Sequence, residues 1–309
     1  MNRAPSNTSI PFATRRLQKK AGKATFCVTA SLMLALAGCS SAPSAPPRQV
    51  QEFHRHASVG LEKYRDGFVV ESRNAFLRAL AHAEMADDAG RMASALLNLG
   101  SSELLLDNID AASRAYGRAV REAELADPAE QPALRWQAVS GLAEAVRRSG
   151  NAEKTIALLE SRPIVSVGLS ETHRLMADIT LARALADSGK ADEGQGQLDR
   201  IIAAAKKLSP AESDGPLAAA LHAKASVFLK AGQMDAAQAL ALTALKLDRG
   251  LHHPPSVAED HRLLGEIAAA QNRTSDRQFH FQRALSIYTN TGQELRAQAC
   301  RNMLKPAEK

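Results

Sequence analysis

An all-α array of six stacked helix pairs is the fold class this sequence predicts, and three regularities predict it. From Phe53 onward the chain repeats at intervals of 40, 43, 39, 43 and 40 residues when Gly60, Gly100, Ala143, Ala182, Ala225 and Gly265 are aligned. Seven residues after each of these stands Gly67, Asp107, Gly150, Gly189, Gly232 or Asn272, the residue types that best tolerate a left-handed backbone. Such a residue behind an apolar helical run caps the helix and turns the chain into a second one. Finally, Pro128, Pro132, Pro163, Pro210, Pro216, Pro254 and Pro255, all the prolines between residues 50 and 305, fall in the expected connections between copies. Proline costs about 3 kcal/mol inside a helix, so its confinement marks the same boundaries independently.

The second helix of each copy is marked twelve, sixteen and nineteen residues after the aligned small position. Copy one places Ser72, Phe76 and Ala79 there, copy two Ala112, Tyr116 and Ala119, and copy three Thr155, Leu159 and Arg162. Copy four has Gly194, Leu198 and Ile201, copy five Ala237, Ala241 and Ala244, and copy six Arg277, Phe281 and Ala284. Spacings of four and three keep these side chains on one helical face. Small residues there let the two helices of a copy approach, and an aromatic or leucine fills the gap against the next copy. Arg162 followed by Pro163, Gly194 and Arg277 depart from that pattern. The first connection, Asp87-Asp88-Ala89-Gly90, uses turn residues other than proline. A final helix near Glu294 to Leu304 caps the open apolar end. Cys300 falls there with Leu295, Ala299, Met303 and Leu304 on one side, which makes it a buried structural thiol.

Small, aromatic and small residues at these spacings resemble the tetratricopeptide repeat (TPR), most closely in copies one, two and six. Intervals longer than the about 34 residues of the common repeat are similar to the long-helix variants of kinesin light chains. The resemblance implies a TPR-like right-handed superhelical solenoid over residues 53–305, whose first helices line a concave face that binds protein or peptide. Carried over residue by residue, it places Leu61, Tyr64 and Arg65 of copy one in that groove, and Ser94, Leu97, Asn98, Ser101, Leu104 and Leu105 of copy two. Copy three contributes Gln137, Glu144, Arg147 and Arg148, and copy four Met176, Arg183 and Asp187. Copy five contributes His222, Ser226 and Lys230, and copy six Glu259, Arg262 and Glu266. The groove is then apolar at its N-terminal end and of mixed charge further along. The competing reading of Leu97, Leu104 and Leu105 is inter-helix core, and of Asn98 a satisfied core amide. The carboxylate clamp of some relatives in this family needs Lys, Asn, Asn, Lys and Arg. Here Ala57, Leu61, Asn98, Gln137 and Gly141 stand at those places, so the clamp is absent.

Ahead of the array, Arg3, Arg15, Arg16, Lys19, Lys20 and Lys23 occur with no acid, followed by the apolar stretch Ala24 to Ala37 and the run Leu36-Ala37-Gly38-Cys39. Fourteen residues are too few for a spanning helix, which needs about 20. The pattern resembles the signal peptide and lipobox of a bacterial lipoprotein. That resemblance implies removal of residues 1–38, lipid on Cys39 as the membrane anchor, and a place in the cell envelope. Ser40, where an Asp favours inner-membrane retention in this class, points to the outer membrane and its periplasmic face. Thr14-Arg15-Arg16 lacks the apolar residues of a twin-arginine signal, since Gln18 and Lys19 stand in their place. Residues 39–52 read as a flexible Ser/Ala/Pro tether. The fourteen residues from Cys39 to Phe53 could extend about 45 Å. Residues 306–309 are a tail.

The leader carries the whole formal charge of +6, because without its six basic residues 33 basic and 33 acidic residues remain. A neutral chain with 4% aromatic residues has neither the field nor the stacking platform of a nucleic-acid binder. With Cys27 removed and Cys39 acylated, Cys300 has no partner for an internal disulfide.

No catalytic constellation is present: no His-Glu-x-x-His, no Gly-x-Ser-x-Gly, no phosphate-cradling glycine loop and no Ser-x-x-Lys. Gly194-Gln195-Gly196 lacks a preceding strand and a third glycine. His252-His253-Pro254-Pro255, with His261 nearby, is the densest histidine cluster, yet spacing fixes no carboxylate or third ligand, so no metal or cofactor is expected. His54 and His56 read as ordinary surface or capping residues. The expected role is binding and not catalysis: a lipid-anchored periplasmic scaffold or adaptor for a protein or peptide of the bacterial envelope. A sensor of a small molecule or short peptide is the competing reading, and an envelope hydrolase a third. Stoichiometric metabolite binding would favour the sensor, and turnover the hydrolase.

Overall fold

The computed structural model describes residues 46–162 and 169–305, so the leader, Cys39, Pro163 and the 306–309 tail lie outside the described residues. Those residues form thirteen α-helices and no strand. The first two pairs are α1 (Arg48–Arg65) with α2 (Val69–Met85) and α3 (Ala89–Leu105) with α4 (Ile109–Leu125). Next come α5 (Gln131–Arg148) with α6 (Ala152–Glu160) and α7 (Glu171–Asp187) with α8 (Ala191–Ala205). The last are α9 (Pro210–Lys230) with α10 (Met234–Gly250), α11 (Pro254–Ala270) with α12 (Thr274–Asn290), and the single α13 (Glu294–Leu304). Each helix packs mainly on its neighbours in sequence, and the fold is a TPR-like solenoid. None of these helices is long and apolar enough to cross a membrane. Helix α1 begins ahead of the expected residue 53, although Phe53 is its first buried residue.

The turn inside every pair is made as its residue type predicts. Gly67, Asp107, Gly150, Gly189, Gly232 and Asn272 all have positive φ, between 57° and 90°. One residue there in the left-handed region ends the first helix and reverses the chain. Asp87, His252 and Gly292 do the same between elements.

Packing within a pair follows a size rule. A Cβ added to Gly60 would come 2.5 Å from the Phe76 ring, one on Gly100 2.7 Å from Tyr116, and one on Gly265 3.0 Å from Phe281. Where the second helix offers Leu159, Leu198 or Ala241, the first carries Ala143, Ala182 or Ala225. Glycine therefore faces an aromatic, and alanine faces an aliphatic side chain. The carbonyl of the aligned residue is also used: Ser72 Oγ donates to Gly60 O at 3.0 Å and Thr155 Oγ1 to Ala143 O at 3.3 Å. Gly194 departs from the pattern because its backbone takes that place, and a Cβ on it would lie 2.5 Å from Ala182 O.

Two other departures have local causes. Helix α6 is only nine residues long, so Arg162 lies beyond its end. There its Nε donates to Leu159 O at 2.7 Å and its guanidinium stacks 5.1 Å from the Trp136 ring. Pro216, expected in a connection, lies inside α9 instead. Proline cannot bond the carbonyl four residues earlier, and that carbonyl, Glu212 O, accepts from Thr172 Oγ1 of α7 at 3.3 Å. Pro132, Pro210, Pro254 and Pro255 sit in first turns, where an N–H has no helical partner. In α13 the buried side holds Ala297 and Cys300, whereas Leu295 and Met303 are exposed. Burial pushes the Cys300 thiol up to about 11.

The first and last copies meet. Arg296 of α13 donates through Nη2 to Leu104 O of α3 at 3.0 Å, across 192 residues of chain. The Tyr64 and His253 rings lie 6.1 Å apart. A Cβ on Gly67 would sit 3.1 Å from Pro254, and one on Gly292 2.8 Å from Val70. Leu104 O belongs to the last turn of α3, whose carbonyls lack helical partners. It also accepts from Arg148 Nη1 at 2.6 Å.

Candidate functional site

The ends meet around a half-open cavity of about 650 Å³, lined from all six first helices and from α13. Helix α1 supplies Tyr64, α3 Ser101, Leu104 and Leu105, and α5 Glu144, Arg147 and Arg148. Helix α7 supplies Met176 and Arg183, α9 His222, α11 Glu259 and Arg262, and α13 Arg296. A second cavity of about 340 Å³ shares Arg147, Arg183 and Arg262 and adds Asp187, Ser226, Lys230 and Glu266. First-helix residues converge here because three- and four-residue steps keep them on one face of each helix.

The wall is a network of charge pairs. Arg147 grips both oxygens of Glu144 at 2.9 Å and reaches Asp187 at 3.1 Å. Burial would raise Glu144, but Arg183 and Arg147 outweigh it and hold the carboxyl at about 2. Glu259 is likewise held down against burial by Arg296 and Arg262. It accepts from Arg296 at 2.5 Å and from Tyr288 Oη at 2.6 Å. Arg148 pairs with Asp107, the turn residue of copy two. Ser101 Oγ and Tyr116 Oη are 3.0 Å apart at the mouth of this network.

A different chemistry occupies the α9–α11 wall. His222 Nδ1 lies 2.7 Å from Asp260 Oδ1, and Asp248 lies beside Asp260. Burial, and then the neighbouring Asp260, push Asp248 up to about 8; burial also raises Asp260. His222 is lowered to about 4, first by burial and then by Arg183 and Arg262 against the pull of Glu259. The arrangement is a buried acid pair holding a proton near neutral pH, next to a neutral imidazole.

Of the residues the sequence places in the groove, Tyr64, Ser101, Leu104, Glu144, Arg147, Arg183 and Arg262 line the first cavity, and Lys230 lines the second. Six lie elsewhere, since Leu61, Arg65, Ser94, Leu97, Asn98 and Gln137 line neither cavity. Leu61 is 47% exposed and lines neither cavity. Leu97 packs into the core formed with α2 and α4. Asn98 spends its Nδ2 on Ser94 O of its own helix at 2.9 Å.

Sequence reasoning missed Arg296, Asp248, Asp260 and the groove-facing hydroxyl of Tyr116. For the acids a signal existed. Asp260 stands five residues before the aligned position, where copies two to five carry the buried Ala95, Ala138, Ala177 and Ala220. Asp248 stands in the column of the buried Ala83, Ala123 and Ala205. An acid among buried alanines requires a partner.

The His252-His253 run and His261 do not join into one cluster. His253 Nδ1 faces Ser256 Oγ at 2.8 Å, and His261 Nδ1 faces His280 Nδ1 at 2.9 Å. His56, expected at the surface, is buried and stacks on His82 at 5.5 Å. Donor atoms of Glu52, His56 and His82 lie within 4.8 Å of one another, the one such group among the described residues. The Arg55 guanidinium already bonds two of the three, 2.8 Å from Glu52 and 3.1 Å from His56 Nε2.

No protein-family model matches the chain, and no curated protein matches it. Solved structures do. PlcR of Bacillus thuringiensis, in complex with the peptide PapR7 and DNA, superposes with a TM-score of 0.57 at 12% identity, over 68% of this chain and 74% of PlcR. A Rap protein complexed with Competence and Sporulation Factor gives a TM-score of 0.57 at 12% identity, over 83% of this chain and 76% of that one. A kinesin light chain of Podosopora anserina with nearly identical TPR-like repeats gives 0.47 at 18% identity, over 66% of this chain and 97% of that one. At these identities the likeness is one of fold.

Proposed function

We propose that this chain is a lipid-anchored binding protein of the bacterial envelope. It holds a short peptide, or a peptide segment of a protein partner, inside its solenoid, and so serves as an adaptor for an envelope complex. The observation that carries the reading is the cavity itself: all six first helices and α13 turn polar and apolar side chains into one half-open space. A space of about 650 Å³ is in the range of ligand pockets. The fold likeness to PlcR, solved with a peptide, supports the same reading. Closure of the ends also favours the neighbouring alternative, a sensor of a short peptide or small molecule, over a scaffold for a large surface.

Site-specific photo-crosslinking in cells from Leu104 and Arg183 tests the cavity. The expected result is a defined adduct with an envelope peptide or protein; adducts from convex positions such as Leu77 or Leu242 alone would refute it. Cys39 is the proposed anchor. A clickable fatty acid is expected to label the wild-type chain and to leave Cys39→Ala unlabelled, with the label in the outer-membrane fraction. Labelled protein found with the inner membrane would overturn that placement.

A further inference from the structure

Arg183 is the guanidinium of the cavity wall that has no carboxylate of its own. Arg147 has Glu144, Arg148 has Asp107, Arg262 has Glu266, Arg296 has Glu259, and Lys230 has Asp187. Arg183 approaches only Glu144, 3.7 Å from Oε1, which is beyond hydrogen-bonding reach. Both Glu144 oxygens already accept from Arg147 at 2.9 Å. Among the described residues the Arg183 fork makes no hydrogen bond, and its side chain is 33% exposed, into the two cavities it separates. Glu144 and Asp187 attract its charge, while Arg147 and Arg148 repel it. Locally, four cations, Arg147, Arg148, Arg183 and Lys230, stand against three carboxylates, Glu144, Asp187 and Asp107.

A half-buried positive fork with free donors is matched by a planar anion, which it can hold bidentately. The deficit is one charge. A carboxylate supplies one, whereas a phosphate brings about 1.5 to 2 into a wall that already holds Glu144 and Asp187. Apolar side chains line the same cavity: Met176 and Ile179 on the same helix, and Pro216 and Ala219 on α9.

Resting on the peptide-binding reading above, we propose that Arg183 seats a carboxylate of the bound peptide, its free C-terminus or an acidic side chain. The apolar residue next to that carboxylate lies against Met176, Ile179 and Pro216. The acid pair Asp248–Asp260 is engaged with His222 and leaves this corner to Arg183.

The test is affinity selection on the full chain with a randomised pentapeptide mixture, read by mass spectrometry. The mixture is supplied as free acids, as C-terminal amides, and as amides lacking Asp and Glu. Free acids are expected to be retained at least tenfold over amides lacking Asp and Glu. Retention of amides that contain Asp or Glu identifies a side chain as the source, and their loss identifies the C-terminus. Arg183→Gln is expected to lose the preference, and Arg183→Lys to keep part of it. Equal retention of all three forms, or an unchanged preference in Arg183→Gln, would overturn the carboxylate seat and leave peptide binding standing. Retention of no pentapeptide would overturn both. The acid-to-amide comparison is made on the wild-type chain, so it stands whether or not the variants fold.

Discussion

Copies two and five build the same helix pair from opposite materials. In copy two a glycine, Gly100, receives the ring of Tyr116, which also lies against Gly141 of the next copy and sends its hydroxyl to Ser101 at the cavity. In copy five Ala225 faces Ala241, with Leu245, Leu263 and Leu264 in the same core. Their turns are alike, with φ of 65° at Asp107 and 76° at Gly232. The comparison teaches that the repeat is defined by its turn and by the sum of two facing side chains. The inner face is free to vary: copy two presents hydroxyls, whereas copies five and six present a buried acid pair with a histidine.

The largest effect expected from this difference is at the ring. Tyr116→Ala is expected to cost about 3–5 kcal/mol in urea unfolding, against about 1 kcal/mol for Ala241→Gly. Similar costs at both sites would break the comparison.

The acid pair should show in the pH dependence of stability. Asp248 keeps its proton to about pH 8 in the folded chain, from an ordinary value of 3.8, so the unfolded chain loses that proton first and stability falls as pH rises between them. His222, lowered to about 4 from 6.5, works the other way: the unfolded chain binds its proton more readily, so stability rises between those two values. Above about pH 6.5 only the acid slope remains, at most about 1.4 kcal/mol per pH unit for one carboxyl. Asp248→Asn is expected to flatten the slope between pH 6.5 and 8. An unchanged slope would show that the acid pair is already ionised.

The smallest effect concerns the size rule. A Cβ on Gly100 would lie 2.7 Å from the Tyr116 ring, and overpacking costs about 1–3 kcal/mol, offset by about 1 kcal/mol of helix propensity. Gly100→Ala is therefore expected to destabilise by about 1 kcal/mol. Adding Tyr116→Leu, which reproduces the Ala182 and Leu198 pair of copy four, should leave the alanine no longer harmful. A double-mutant cycle without coupling would rule out the size rule.

The helix pairs were legible because their signals are local. The sign of φ at Gly150 or Asn272 depends on residue type, and the face holding Phe76 and Ala79 depends on a 3.6-residue period. Pro216 escaped that logic because a hydroxyl from another helix, Thr172, satisfies the carbonyl it frees. Leu61, Leu97 and Asn98 line neither cavity, because packing and not sequence spacing sets the rotation of each helix about its axis.

By itself the sequence determined that the chain pairs its helices six times, where each pair turns, and which faces are apolar. These follow from backbone sterics and periodicity within a few tens of residues. Only the tertiary structure decided that Arg296 would reach Leu104 and that the inner faces would close on one cavity with Arg183 unclaimed. Each copy adds a small rotation to the last, and contact between the ends depends on the sum of all six, a quantity that no single repeat carries.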